Sequence, residues 1–258
     1  MAKAGERLRM SDVRSTFFSV ARCPNVRACF DSGAPNPCRE IVQVQEAPSY
    51  DAFQLPEPWV GQIDVARILF VASNPSIGDD DHAHGSSDDE TIFESHHLAF
   101  GGGSRPYILD GTKTTKPDGS PGHTVHYWSA IKGRAEELIP NARPGTDYCI
   151  TEVVHCESKD EVGVAKAAGE CYSRHFESVV AVSIAPVIVA LGAFAWKRFL
   201  DGTHEPPARP IQRTFGGRPR TIVFLPHPSS FGGPKKIAER YSPEDLGSLE
   251  RLLALARG

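Results

Sequence analysis

At 258 residues, 40% of them hydrophobic, the chain is long enough for one large domain or two small ones with a real core. Its formal net charge of −4 excludes a wholesale polycation but leaves room for a local basic groove. No apolar run reaches the length of a membrane span and the first residues lack a signal-peptide core, so a cytoplasmic protein is expected, whose six cysteines are free thiols or metal ligands rather than disulfides.

The predicted elements follow in chain order. Residues 11–22 carry Val13, Phe17, Val20 and Ala21 at helical spacing, with Ser11 and Asp12 placed to cap the start. Residues 23–38 are rich in Pro, Gly and Asn and read as a loop holding Cys23, Cys29 and Cys38. Residues 41–44 read as a short strand, and 48–61, with three prolines and Trp59, as an ordered wrapping loop. Residues 68–72 are the first buried strand. Residues 79–122 are poor in apolar side chains and rich in Asp, Gly, Ser and His; a loop this long is read as a lid over a crevice. Tyr127, Trp128, Ile131 and Leu138 make an amphipathic helix over 126–139, stopped by Pro140. A strand over 148–154, a long helix over 164–184, a strand over 187–191 and a short helix over 193–200 follow. Residues 201–220 form a connector rich in Pro, Arg and Gly, and 221–225 a strand. Ser242 and Pro243 start a last helix, with Ser at the cap and Pro at the first helical position.

Strands alternating with helices in this order predict a three-layer α/β/α domain whose central, mainly parallel, four-stranded sheet is covered on both faces. No internal repeat or second boundary is found. Residues 1–258 therefore read as one domain, with a Cys-containing segment over 1–61 and the lid over 79–122. Two strands run straight into Pro-containing loops, RILFVASNPSIG over 67–78 and TIVFLPHPSSFGG over 221–233. Ligands of open α/β sheets bind outside the carboxyl ends of the strands. His227, held between prolines, and Asn74 are placed to face one crevice there.

Three pieces together resemble the uracil-DNA glycosylase superfamily over roughly residues 68–231. VASNPSIG is similar to that family's first catalytic loop, in the Asn-Pro form of its mismatch-specific and single-strand-selective branches. CITEVVHCES, Cys171 and PVIVALGAFAW occur in the order of the thermophilic iron–sulfur branch. PHPSSF resembles the family's His-Pro-Ser-Pro-Leu loop. The resemblance implies a uracil-DNA glycosylase-like fold, DNA as partner, a monomer, and hydrolysis of an N-glycosidic bond after the base is flipped out. Such cleavage builds positive charge on the sugar and negative charge on the departing base. His227 can donate to the base oxygen, and Asn74 can position the water, since a loose transition state needs placement more than deprotonation. By the same resemblance Ser73 lies at the base, and Ser76, Ser229 and Ser230 meet phosphates. Phe231 is the wedge that fills the gap in the stack. Tyr107 stacks on the base, with Phe100 as runner-up. Arg220 and Lys235, with Arg209, Arg213, Arg218 and Lys236, flank the His227 strand as candidates for DNA contact.

Glu152 departs from the pattern, because the iron–sulfur branch has Asn there, which reads uracil. A carboxylate repels uracil O4 but suits cytosine, whose N4 is a donor; if burial kept it protonated, it could donate to cytosine N3 or to uracil O4. Unmodified cytosine would be a dangerous substrate. The expectation is therefore a glycosylase for a non-standard pyrimidine, such as a modified cytosine of phage DNA, with the lid making room for the substituent. The alternatives are a uracil-DNA glycosylase of base-excision repair and a non-catalytic DNA-binding protein on the same fold. The cysteines of the iron–sulfur branch map onto Cys156 and Cys171, with Cys23 and Cys29 as the early pair and Cys38 as the alternative to Cys29; four thiolates would hold a [4Fe–4S] cluster that pins the N-terminal segment. No catalytic metal is expected: Asp79, Asp80, Asp81, His82, His84, His96 and His97 lack fixed ligand spacing and read as a solvated lid. No G-x-S-x-G elbow, G-x-G-x-x-G or P-loop supports another hydrolase or a nucleotide-binding module.

Overall fold

Val, Ile, Leu, Phe and Ala fill residues 68–72, 187–191 and 222–225, and every one of these side chains is buried, as strands under two helical layers must be. The computed structural model describes residues 10–31, 33–77, 83–101, 107–116, 118–200 and 205–256. Helices α1 (Met10–Ala21), α2 (Pro24–Asp31) and α3 (Arg39–Gln43) precede strand β1 (Ile68–Ala72). Helix α4 (Asp89–His97), the short strands β2 (Ile108–Leu109), β3 (Lys113–Thr115) and β4 (Pro121–Thr124), helix α5 (His126–Leu138) and strand β5 (Tyr148–Glu152) come next. Helix α6 (Val164–Cys171) passes through a π-helical turn at Tyr172–Phe176 into α7 (Glu177–Ala181). Strand β6 (Val187–Leu191), helix α8 (Gly192–Trp196), strands β7 (Ile211–Phe215) and β8 (Arg218–Leu225), and helices α9 (Ile237–Arg240) and α10 (Pro243–Leu255) follow.

The main sheet is five-stranded and mixed, in the order β5-β1-β6-β8-β7. Strands β5, β1, β6 and β8 are parallel, and β7 runs antiparallel on the edge of β8. Alternate side chains divide the core. Leu69, Val71, Ile188, Ala190, Ile222 and Phe224 pack with α1, α6, α7 and α8 on one face. Ile68, Phe70, Val187, Val189, Val223 and Leu225 pack with α5 and α10 on the other. At the amino ends of the strands Arg67 and Asp147 form a buried ion pair at 2.7 Å, and Arg67 also donates to Leu253 O at 3.0 Å. At the carboxyl end of the sheet, Trp196 Nε1 donates to Ala190 O and Leu225 O, each at 3.0 Å, tying the ends of β6 and β8 together. No helix among the described residues is long and apolar enough to cross a membrane.

Five sequence expectations are corrected. Residues 201–220 are more than a connector, because β7 forms within them and turns into β8 through Gly216 and Gly217, both at positive φ (59° and 73°). This adds the fifth strand. Residues 41–44 lie in and after the short helix α3 rather than in a strand, and α2 occupies the first part of the expected 23–38 loop. The lid is built: α4 packs into the core through Ile92 and Phe93, and β2, β3 and β4 make a small antiparallel sheet. The long helix over 164–184 widens at the π-turn and ends at Ala181.

Candidate active site

The loops leaving β1, β5 and β8 converge because their strands are parallel and near neighbours. The β1 and β5 loops are zipped together, Val153 N–H donating to Ala72 O at 3.0 Å, Val154 N–H to Ser73 O at 2.9 Å and Ser158 N–H to Pro75 O at 3.0 Å. Between these loops, the β8 loop and the lid lies a cavity of about 650 Å³. Asn74, Ser76, Glu152, His227 and Ser229 line it, and Tyr107, Ile108, Thr114 and His123 of the lid form another wall. The imidazole and the carboxamide, 153 positions apart in sequence, therefore face one enclosure.

His227 is held in a defined state. Ser229 N–H donates to its Nδ1 at 3.3 Å, so in the neutral ring Nε2 carries the proton. Burial, with help from the Arg134 and Lys235 charges, pushes its pKa below the ordinary histidine value, which keeps the ring neutral. Tyr127 stacks on the imidazole at 5.5 Å and 21°. Gly192 leaves room for the histidine: a Cβ there would lie 3.1 Å from His227 Cβ, on a backbone with φ of 80°. Arg134, buried on α5, donates from Nη2 to Pro226 O at 3.2 Å and from Nε to Lys235 O at 2.9 Å, clamping both ends of the loop. Lys235 Nζ donates to Pro228 O at 2.9 Å and Ser230 Oγ to His227 O at 2.7 Å, so both are loop braces. Phe231, by contrast, is fully exposed at the loop's tip.

Asn74 Nδ2 donates to Pro75 O at 2.8 Å, which turns the amide so that Oδ1 is the atom left to accept a hydrogen bond. Glu152, the last residue of β5, is 3% exposed, and its Oε2 has no hydrogen-bond partner. Burial, reinforced by the charge of Glu57, raises its pKa well above the ordinary carboxylate value, which favours the protonated form. Glu57, Tyr127, Trp128 and Glu157, which sequence reasoning did not single out for the site, also line the cavity. Tyr127 and Trp128 were read only as the apolar face of a helix, and nothing local marks Glu57 beyond its two flanking prolines.

Other expected site residues lie elsewhere. Arg220 is not a DNA contact: it is 2% exposed and donates to Val180 O, Ser183 O, Ala185 O and Phe215 O, closing the turn between α7 and β6. Phe100 does not line the cavity; its ring packs edge-on against Tyr148 at 5.8 Å. Ser73 points away as well, its Oγ bonded to Glu161 Oε1 at 3.4 Å. Arg209 is engaged by Glu244 and Asp245, and Lys236 by Glu239. His97 accepts from Trp59 Nε1 at 3.2 Å and faces Asp64 as a packing residue of α4, whereas His96, its Nδ1 3.0 Å from Ile92 O, lines the cavity. Asp79, Asp80, Asp81 and His82 lie outside the described residues.

A second hollow lies behind the site. Cys23, Cys38, Cys156 and Cys171 line it with His155 and His175. The π-turn keeps Cys171 and His175 on one side, His175 Nε2 standing 3.3 Å from Cys23 Sγ. Cys29 is not in this set: its thiol donates to Asn25 O at 3.2 Å within α2, so Cys38 supplies the fourth sulfur. Burial raises all these thiols, with repulsion from neighbouring thiolates adding to it at Cys38, Cys156 and Cys171; Cys38 and Cys171 are pushed up to about 12. A single tetrahedral ion would draw sulfurs to within about 4 Å of one another, and no group of three or more His, Cys, Asp or Glu is so arranged among the described residues. A polynuclear cluster spaces its thiolates more widely and supplies the positive charge that four crowded thiolates need. In donor type and burial the lining suits such a cluster, while the hollow itself measures about 10 Å³. No protein-family model matches the chain, and no curated protein matches it.

Proposed function

We propose that the chain is a DNA N-glycosylase of uracil-DNA glycosylase-like fold. The observation that carries the reading is the shared cavity, with Asn74, Glu152 and His227 delivered to it from three parallel strands. Neutral His227, protonated on Nε2, donates to the base oxygen as charge develops on it, a preorganised donor. Asn74 Oδ1 accepts from the attacking water and sets its approach to the sugar carbon. Glu152, a neutral acid, donates to the edge of the flipped base. Tyr107 offers its face to the base, Ser229 meets an adjoining phosphate, and the exposed ring of Phe231 enters the vacated stack.

The cavity's 650 Å³ supports an enlarged pyrimidine as substrate. Sites for drug-sized ligands span about 300–1,000 Å³, far more than a bare ring fills. A modified cytosine, removed from foreign DNA such as that of phage, is the reading that joins this volume to Glu152. Uracil is the second reading, favoured by the protonation of Glu152, since a neutral acid can donate to O4 where a carboxylate repels it. Base release from otherwise identical DNAs bearing uracil, hypoxanthine, cytosine or 5-substituted cytosines separates them. Release confined to the substituted cytosines supports the first; release of uracil alone selects the second. Cys23, Cys38, Cys156 and Cys171 would hold a [4Fe–4S] cluster whose contribution is structural, tying α1, α3 and α6 to the loop after β5. Protein purified without oxygen should then carry about four irons per chain, and Cys38→Ala should lose them while Cys29→Ala keeps them.

A further inference from the structure

The segment before β1 brings a second carboxylate into the cavity that Glu152 lines. Residues 57–60 run along the free edge of β5: Val60 and Ile150 exchange backbone hydrogen bonds at 2.8 and 3.0 Å, and Thr151 Oγ1 donates to Pro58 O at 2.7 Å. Glu57 is gripped further along, where its N–H donates to His155 O at 2.8 Å and its carbonyl meets His155 Nδ1 at 2.9 Å. Prolines on both sides remove most of its remaining backbone freedom. So Glu57 is fixed at both main-chain groups, with its side chain in the cavity that Glu152 enters from the end of β5. The two charges repel. The phenol of Tyr127, buried without a hydrogen-bond partner, lines the same cavity.

We propose that Glu57 and Glu152 work as one unit, an acid beside a carboxylate, that reads the edge of the flipped base through one donated and one accepted hydrogen bond. This rests on the glycosylase reading and makes Glu57 a specificity-determining residue. Glu152 donates to an acceptor on the ring, and Glu57 accepts from the neighbouring N–H. The edge it fits is a pyrimidine's N3 and its position-4 substituent, one a donor and the other an acceptor. Two ionised carboxylates would reject that edge, because each can only accept. Release should therefore fall as pH rises and the shared proton is lost. Among the described residues, the other titratable groups facing the pair are Tyr127 and His96, whose Nε2 is 3.9 Å from Glu57, and, around the cavity, Tyr107, Glu157, His123 and His227. Tyr127 stays protonated, pushed up by burial and by both carboxyls, and His227 stays neutral.

The test compares Glu57→Gln and Glu152→Gln with the wild type, using DNA carrying the base that the wild type releases best. Removing the Glu57 charge eases ionisation of Glu152. Glu57→Gln should then cut release about tenfold for each unit by which the proton is loosened, at mildly alkaline pH, with the loss recovered at mildly acid pH. Glu152→Gln keeps an N–H donor that needs no proton, so its alkaline fall should vanish. Infrared spectra of the DNA-free protein read the pair independently of catalysis. A protonated-carboxyl band should persist at neutral pH in the wild type, disappear in Glu152→Gln, and titrate at lower pH in Glu57→Gln. Wild-type pH profiles in both variants, or no such band at neutral pH, would overturn the proposal. If the infrared titration behaves as expected but no DNA yields a base, the glycosylase reading falls and the base-edge role with it, while the pair itself stands.

Discussion

Arg220 and Glu152 show how burial decides what a charged residue does. From sequence, Arg220 is one of several arginines beside the His227 strand and looks available to phosphate. Its 2% exposure makes it a structural clamp for four carbonyls instead. Arg220→Met would leave those acceptors unsatisfied, at a cost of about 3 kcal/mol or more. Denaturant unfolding should show that loss, while the salt dependence of DNA binding stays unchanged. Glu152 is the reverse case, a group whose identity was legible but whose state was not. Its folded pKa is raised, so the stability it allows is complete below the unfolded-state pKa and is lost as pH rises through the folded value. Glu152→Gln should therefore melt at the same temperature as the wild type in acid and higher than it at mildly alkaline pH, in thermal scans across that range. Exposure and protonation depend on distant neighbours such as Glu57, and local sequence carries neither.

At the level of elements, the parallel strands announced themselves through short runs of Val, Ile, Leu and Phe, since burial on both faces demands them. The edge strand did not. Yet Gly216-Gly217 between 211–215 and 218–222 is a two-residue hairpin signal, and Asp110-Gly111, both at positive φ, opens the three-residue turn between β2 and β3 in the lid. Both were masked by the Pro, Arg and Asp content around them, which reads as loop. The helices α2 and α3 were hidden for a similar reason, being short and held by tertiary packing of Val26, Ile41 and Val42 more than by propensity. The β8 loop depends on an element far away in sequence: Arg134 of α5 holds Pro226 and Lys235 together. Arg134→Met should keep the fold's core packing but free the loop. Base release should fall, with kcat reduced more than KM rises, because the histidine is mispositioned more than the substrate is unbound.

Across the whole molecule the arrangement is one of opposite ends. The amino ends of the strands are closed by the Arg67–Asp147 pair and the last turn of α10, while the carboxyl ends open into the cavity. Asn74 and His227 could be read as partners because each follows a buried strand into a Pro-containing loop, and parallel strands put such loops on the same end. Of the cavity's other wall the lid and Tyr107 were legible, but the first turn of α5 was not, since Tyr127 and Trp128 read as the apolar face of a helix. The cysteine hollow lies against the loop after β5, so His155 touches both it and Glu57; the scaffold of the hollow and the floor of the cavity are one piece of structure. The most direct measurement is single-turnover base release by the wild type and by His227→Ala, alongside DNA affinity, on a duplex with a 5-substituted cytosine. Loss of a preorganised donor should slow release about 100- to 1,000-fold, with affinity changed by no more than a few-fold. Equal release by the two proteins, or none by either on any modified or unmodified pyrimidine, would contradict the account.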